Sequence, residues 1–174
     1  MKKAVFLDRD GVLNEALVRD GRPYSPRTLE EFVIIAGASD ELGLLRRHGY
    51  RLVVVTNQPD IARGKMAREE LEDMHRYLLQ RLPIDAIEVC EHDDADRCAC
   101  RKPLPGLLTH AAQRDGIALA KSFMIGDRWR DIEAGRSAGC RTVLIGDGYR
   151  EGLKSQPDIA VGNLGDAVRR ILVT

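Results

Sequence analysis

The sequence predicts an α/β fold: a single doubly wound, mainly parallel sheet of the Rossmann-like kind, in one domain over residues 1–174. Three observations carry that expectation. Short apolar runs alternate with amphipathic helical stretches along the chain. The runs are apolar throughout, as strands covered on both faces are. Each cluster with chemical potential, Asp8/Asp10, Thr56/Asn57, Arg101/Lys102 and Asp127/Asp131, follows a strand, where ligands bind in such sheets.

The first strand, residues 4–7, runs straight into Asp8-Arg9-Asp10-Gly11. Residues i and i+2 of an extended segment face one side, so Asp8 and Asp10 can converge. After Asn14 a polar stretch with Gly21, Pro23 and Pro26 reads as a loop or small flap whose tip lies near Asp10. Residues 38–48 form a helix with Leu42 and Leu45 on one face and Gly49 just past its end. Residues 51–56 are the second strand. The helix over 66–82 repeats Ala67, Leu71, Met74, Leu78 and Leu82 at steps of three and four. A third strand follows at 84–89, then a cysteine-rich loop over about 90–102. Pro105 opens a helix at its first turn, and Gly116 ends it. Strand 122–126 delivers Asp127. A helix over 131–138, strands at 141–145 and 159–161, and a last helix from 164 complete the chain. The segments between strands hold one or two elements each, too little for a cap domain.

Composition narrows the function. With 44% hydrophobic residues the chain can bury a sizeable core. Its 27 basic and 27 acidic residues cancel, so no global field recruits nucleic acid or an anionic membrane. No apolar run approaches the roughly 18 residues that span a bilayer, and the N-terminus is too short for a signal peptide. A cytoplasmic setting is expected. There the four cysteines are ligands or buried thiols rather than disulfides.

Two close carboxylates repel unless a proton or cation lies between them, and Mg²⁺ suits such a site. An ordinary strand-to-turn junction with solvated aspartates is the plain alternative. Taken with Thr56, Lys102, Asp127 and Asp131, however, the inventory fits phosphoryl transfer. One aspartate attacks, another moves protons, Thr56 donates to a phosphoryl oxygen and Lys102 supplies charge to phosphate and nucleophile.

These motifs, in this order, resemble the haloacid dehalogenase-like phosphohydrolases over nearly the whole chain. Asp-Arg-Asp-Gly at 8–11, Thr56-Asn57-Gln58, Ile61-Ala62-Arg63-Gly64, Cys100-Arg101-Lys102-Pro103 and the 122–127 segment are similar to the capless group of heptose bisphosphate and histidinol-phosphate phosphatases. The resemblance implies Asp8 as nucleophile and Asp10 as general acid/base. It implies Mg²⁺ on Asp8, the Asp10 carbonyl and Asp127, with Asp131 orienting a metal-bound water or holding Lys102. It implies a small phosphorylated metabolite as partner: D-glycero-D-manno-heptose 1,7-bisphosphate losing its 7-phosphate, with histidinol phosphate or another small phosphoester as the alternative. Asn57, Gln58, Arg63, Arg101 and Arg128 are the candidate substrate contacts, Arg63 and Arg128 being equally well solvated surface charges. Pro59-Asp60 departs from the Ser-Gly of the heptose enzymes, and a carboxylate there is unhelpful beside an anion. A phosphoryl-storing receiver domain uses similar residues, but its phosphorylated aspartate follows the third strand. A monomer or small oligomer is expected.

Cys90, His92, Cys98 and Cys100 form a C-x-H-x₅-C-x-C pattern that suits tetrahedral, structural Zn²⁺. Reduced thiols beside a surface histidine are the alternative; the phosphatase group carries a similar zinc loop. Five residues between the ligand pairs are few, and could strain the site. The loop would hold Arg101 and Lys102. Among other residues, His48 sits at a helix end, His75 and His110 read as unpartnered surface residues, and Cys140 as a buried small hydrophobe. Trp129 either walls the pocket or packs as an anchor.

Overall fold

A computed structural model describes residues 1–174. Six strands form one parallel sheet in the order β5-β4-β1-β6-β7-β8: β1 (Lys3–Leu7), β4 (Tyr50–Asn57), β5 (Ala86–Cys90), β6 (Phe123–Gly126), β7 (Arg141–Ile145) and β8 (Ile159–Val161). The winding reverses at β1, which lies between β4 and β6. At that switch point the carboxyl ends of three strands open a crevice.

Side-chain alternation on β1 assigns the two faces. Val5 and Leu7 pack with α1 (Ala38–Arg47), α2 (Arg68–Arg81) and α5 (Leu164–Leu172). Ala4 and Phe6 pack with α3 (Gly106–Asp115) and α4 (Trp129–Ala138). Ala4 to Leu7 of β1 are fully buried, which explains the absence of polar alternation there. Truncating Leu52 or Leu108 to alanine in these layers should cost about 2–5 kcal/mol.

Element types agree with the sequence reading, and the shifts are at boundaries. The 66–82 helix is shorter at both ends. Pro105 is the cap before α3 rather than a residue of its first turn. The helix expected from 131 starts at Trp129, so Asp131 falls in its first turn. The flap contains structure that was not expected: an antiparallel hairpin of β2 (Leu17–Arg19) and β3 (Arg22–Tyr24). Asp20 and Gly21 both take positive φ, as a tight two-residue hairpin turn requires. Its tip does not lie beside Asp10. Gly21 O instead accepts from Arg150 N (3.3 Å), and Ser25, past β3, reaches Asp10. No helix is long and apolar enough to cross a membrane.

Candidate active site

The strand ends bring Asp8, Asp10, Asn57, Lys102, Asp127 and Asp131 around a cavity of about 50 Å³, walled on its outer side by Tyr24, Ser25, Arg128 and Arg130. Two glycines make the approach of the acids possible. A Cβ on Gly11 would stand 1.8 Å from Asp127 Oδ2, and one on Gly126 would stand 2.1 Å from the Asp131 Cβ. The backbone of Gly11 is also left-handed (φ +84°), which disfavours any side chain.

Lys102 is the hub. Its Nζ donates to Asp8 Oδ1 (2.9 Å), Asp131 Oδ1 (2.6 Å) and the Val55 carbonyl (2.8 Å), which uses all three ammonium protons. Burial opposes its charge, but Asp131 and then Asp8 outweigh this and raise its pKa. Its protons are held by Asp8, Asp131 and the backbone, so its link to the expected nucleophile is direct. Asp131 also accepts from Arg128 N (3.1 Å), so both its oxygens are engaged. Asp8 Oδ1 accepts a second bond from Arg9 N (2.8 Å), and Oδ2 makes none. Burial, then repulsion from Asp131, pushes the Asp8 pKa up to about 6. Burial, then Asp8 and Asp131, raises Asp127 well above the usual carboxylate range.

Asp10 has the opposite setting. Arg9 Nε (2.9 Å) and Asn14 Nδ2 (2.9 Å) donate to Oδ1, and Ser25 Oγ (2.6 Å) and Gln58 Nε2 (3.1 Å) donate to Oδ2. Burial would raise its pKa, but the Arg9 charge and these donors hold it below the ordinary value. Arg9 is itself fully buried, stacked 5.2 Å over Phe32. Its Nη1 lies 3.1 Å from His75 Nε2. His75 is thus not the unpartnered surface residue expected. Burial and the Arg9 charge push its pKa down to about 3, so the neutral ring must accept from the guanidinium.

A hard cation fits this site. Oxygens of Asp8, Asp127 and Asp131 lie within 4.8 Å of one another, and Asp127 Oδ1 is buried with no hydrogen-bond partner. An orphaned carboxylate oxygen among repelling acids is what Mg²⁺ would satisfy.

The expected substrate contacts divide. Gln58 is fully buried and donates to Asp10 and Thr56 Oγ1 (2.9 Å), so it supports the site and does not face the cavity. Thr56 is likewise covered, and Asn57 lines the cavity in its place. The Asn57 amide also pairs with both backbone groups of Lys102 (3.0 Å each). Arg63, Arg101 and Arg128 line a second, outer cavity of about 230 Å³ with Arg130 and Asp60. Arg63 pairs with Asp93 (2.6 Å), Arg101 with Asp94 (2.7 Å) and Arg128 with Glu151. Asp60 is neutralised by Arg27 (2.7 Å) and Arg63 (3.6 Å), so it does not meet an anion as a bare charge. Sequence reasoning missed Arg130, which lines both cavities and donates to the Lys102 carbonyl (3.3 Å). Its neighbour Trp129 does not wall the inner pocket: Lys154 and Arg130 lie over its ring at 3.9 and 4.8 Å.

Cys90, His92, Cys98 and Cys100 converge within 4.8 Å, all thiols free. The His92 nitrogen facing them is Nδ1, 3.3 Å from Cys100 Sγ and 3.6 Å from Cys90 Sγ. Three thiols and one imidazole are the donor set of a closed structural zinc site. The five intervening residues fit as one turn, Asp94–Asp96, closed by reciprocal Asp93 and Asp96 bonds. The loop grips Arg101 directly through Asp94 and the His92 carbonyl. His110 is exposed but paired with Glu88 (2.9 Å), and His48 Nδ1 lies 2.9 Å from the Leu44 carbonyl. Cys140 is buried.

Fold and site together define a haloacid dehalogenase-like hydrolase, and the HAD-hydrolase-like family model matches residues 99–167. The D-glycero-β-D-manno-heptose-1,7-bisphosphate 7-phosphatase of Helicobacter pylori is 37% identical over 149 residues, 82% of each chain. That of Bordetella bronchiseptica is 36% identical over 172 residues, 96% of this chain and 90% of its own. The crystal structure of the B. bronchiseptica D,D-heptose 1,7-bisphosphate phosphatase, complexed with magnesium and phosphate, superposes with a TM-score of 0.84 at 32% identity, covering 98% of both chains. The chain belongs to this heptose bisphosphate phosphatase family of haloacid dehalogenase-like hydrolases.

Proposed function

We propose that this phosphatase removes the 7-phosphate from D-glycero-β-D-manno-heptose 1,7-bisphosphate, or a close sugar bisphosphate, through a phosphorylated Asp8. The observation that carries the reading is the pairing of two cavities with shared walls. The inner one is compact and acid-lined around Lys102, and the outer one has four arginines. Such a pair suits one substrate with a reacting phosphate at one end and a second anion at the other. The names of the relatives support the sugar.

Asp8 Oδ1 is pinned by Lys102 and Arg9 N, which leaves Oδ2 to attack phosphorus. Lys102 keeps Asp8 ionised despite burial, so the nucleophile is charged at neutral pH. Asp10 is held as a carboxylate in the free enzyme. An arriving phosphate raises a neighbouring carboxylate's pKa, which lets Asp10 take up the proton that it then gives to the leaving sugar oxygen. Once the sugar has left, Asp10 removes a proton from the water that hydrolyses the aspartyl-phosphate. Asp8, the Asp10 carbonyl and Asp127 would hold Mg²⁺, with Asp131 just outside; bound there, the ion offsets charge that develops on the transferring phosphoryl group. Cys90, His92, Cys98 and Cys100 would hold Zn²⁺ and fix Arg101 for the distal phosphate. A single domain working in the cytoplasm is consistent with this role.

The test is a panel of phosphorylated metabolites with purified, Mg²⁺-supplied protein. The heptose bisphosphate should give the highest kcat/KM, above histidinol phosphate and above the corresponding monophosphate. A preference for histidinol phosphate would overturn the substrate. No phosphate release from any compound would overturn the chemistry.

A further inference from the structure

The turn after β7 takes no part in the steps above, yet it carries a strained residue. Tyr149 has a left-handed backbone (φ +60°), a conformation that a non-glycine residue rarely adopts. The surrounding chain enforces it: Gly148 and Gly152 flank it at φ +81° and +68°. Arg150 N donates to Gly21 O of the hairpin (3.3 Å), and Glu151 accepts from Arg128 Nε (2.9 Å). So placed, the phenol donates its one proton to Asp127 Oδ2 at 2.5 Å. Oδ2 reaches into the space that a side chain at Gly11 would fill, a Cβ there standing 1.8 Å from it. The other oxygen, Oδ1, is buried without a partner. One carboxylate therefore has one oxygen hydrogen-bonded and one without a partner.

We infer that Tyr149 is a positioning residue that keeps Asp127 a one-oxygen metal ligand and so biases the site toward Mg²⁺ over Ca²⁺. This rests on the reading above that Asp127 holds the metal. Mg²⁺ takes six oxygens in a tight octahedron, whereas Ca²⁺ accepts six to eight and readily takes both oxygens of a carboxylate. With Oδ2 committed to the phenol, Asp127 offers Oδ1 alone, which suits the smaller ion. Without the hydroxyl the carboxylate can turn or offer both oxygens, and the larger ion loses its handicap.

The experiment is calorimetric titration of the full chain with Mg²⁺ and, separately, Ca²⁺, for wild type and Tyr149→Phe, with circular dichroism as a check on folding. Partners of metal ligands are typically worth 10- to 100-fold in affinity. Tyr149→Phe should lose about tenfold in Mg²⁺ affinity, and the Mg²⁺/Ca²⁺ preference should narrow by a similar factor. Glu151→Gln weakens the same turn at its Arg128 tie but leaves the phenol, and should keep the wild-type preference. If Tyr149→Phe does not fold, Tyr149→Leu also removes the donor and is read in the same way. Equal losses for both ions, an unchanged Mg²⁺ affinity, or an equal shift in Glu151→Gln would overturn the inference and leave the metal site standing. Absence of Mg²⁺ binding by wild type would overturn both.

Discussion

The inner and outer cavities solve opposite electrostatic problems a few residues apart. The inner one concentrates Asp8, Asp127 and Asp131 around one buried lysine, so negative charge is in excess and two of the acids carry raised pKa values. The outer one gathers Arg63, Arg101, Arg128 and Arg130, but a carboxylate lies on each guanidinium. The first is poised to take up a cation, and the second, where Arg101 and Arg130 share Asp94, keeps a small positive excess for an anion. Chemistry thus depends on buried acids in excess and recognition on half-buried, mostly paired arginines, so damage to the first should show in kcat and damage to the second in KM.

The largest effect should come from Asp8→Asn, which keeps the shape and loses the attacking oxygen. Turnover should fall to background while phosphate release is followed directly, and a variant that kept a tenth of wild-type activity would break the division just drawn. Next, Lys102→Met leaves Asp8 and Asp131 without their buried cation. Removing one partner of such a pair costs about 3–5 kcal/mol, so urea denaturation should show a loss of that size, with turnover lost as well. Unchanged stability would mean that the acids, rather than Lys102, adjust.

The pH dependence of the metal-free protein sharpens the contrast. Asp8 and Asp127 have pKa values raised in the folded state, so the folded protein holds protons that the unfolded chain releases. Their contribution to stability is full below the unfolded value of about 3.8 and is lost as pH rises through about 6 for Asp8. Mg²⁺ competes with those protons, so the rise in Tm on adding Mg²⁺ should grow across that window. A constant rise would contradict the placement of the cation among these acids.

Smaller effects are expected outside. Cys98→Ser, or mild zinc removal, should free the loop that grips Arg101 and leads into Lys102. A misplacement near 1 Å costs on the order of 10²-fold in rate, with KM for the bisphosphate raised and a small generic phosphoester less affected. Zinc content is read by elemental analysis of the same samples. Arg130→Ala should raise KM for the bisphosphate about tenfold, the worth of one charge-assisted contact, and leave the KM of the monophosphate nearly unchanged.

What the sequence disclosed follows the same division. Asp8, Asp10, Lys102, Asp127 and Asp131 were legible because strand ends and short motifs mark them. The cysteine loop was legible because its donors are close in sequence. Arg130 had no such mark: it is one of 27 basic residues, and only packing across 28 positions sets it on the Lys102 carbonyl. The Arg9–His75 contact, 66 positions apart, depends on how α2 lies against the β1 turn, which periodicity does not specify. Gln58 is a candidate substrate contact by its motif alone, which does not show that its amide turns inward to Asp10. The Asp20-Gly21 pair is a local hairpin signal, set in a stretch whose polarity and prolines read as loop.

Whether Asp8 carries the phosphoryl group between sugar and water is read from the stereochemistry at phosphorus. Substrate made chiral at the 7-phosphate with oxygen isotopes would be hydrolysed in isotopic water, and the configuration of the released phosphate read. Two in-line displacements, first by Asp8 and then by water, predict net retention. Net inversion would mean that water attacks the substrate directly, and would contradict the account.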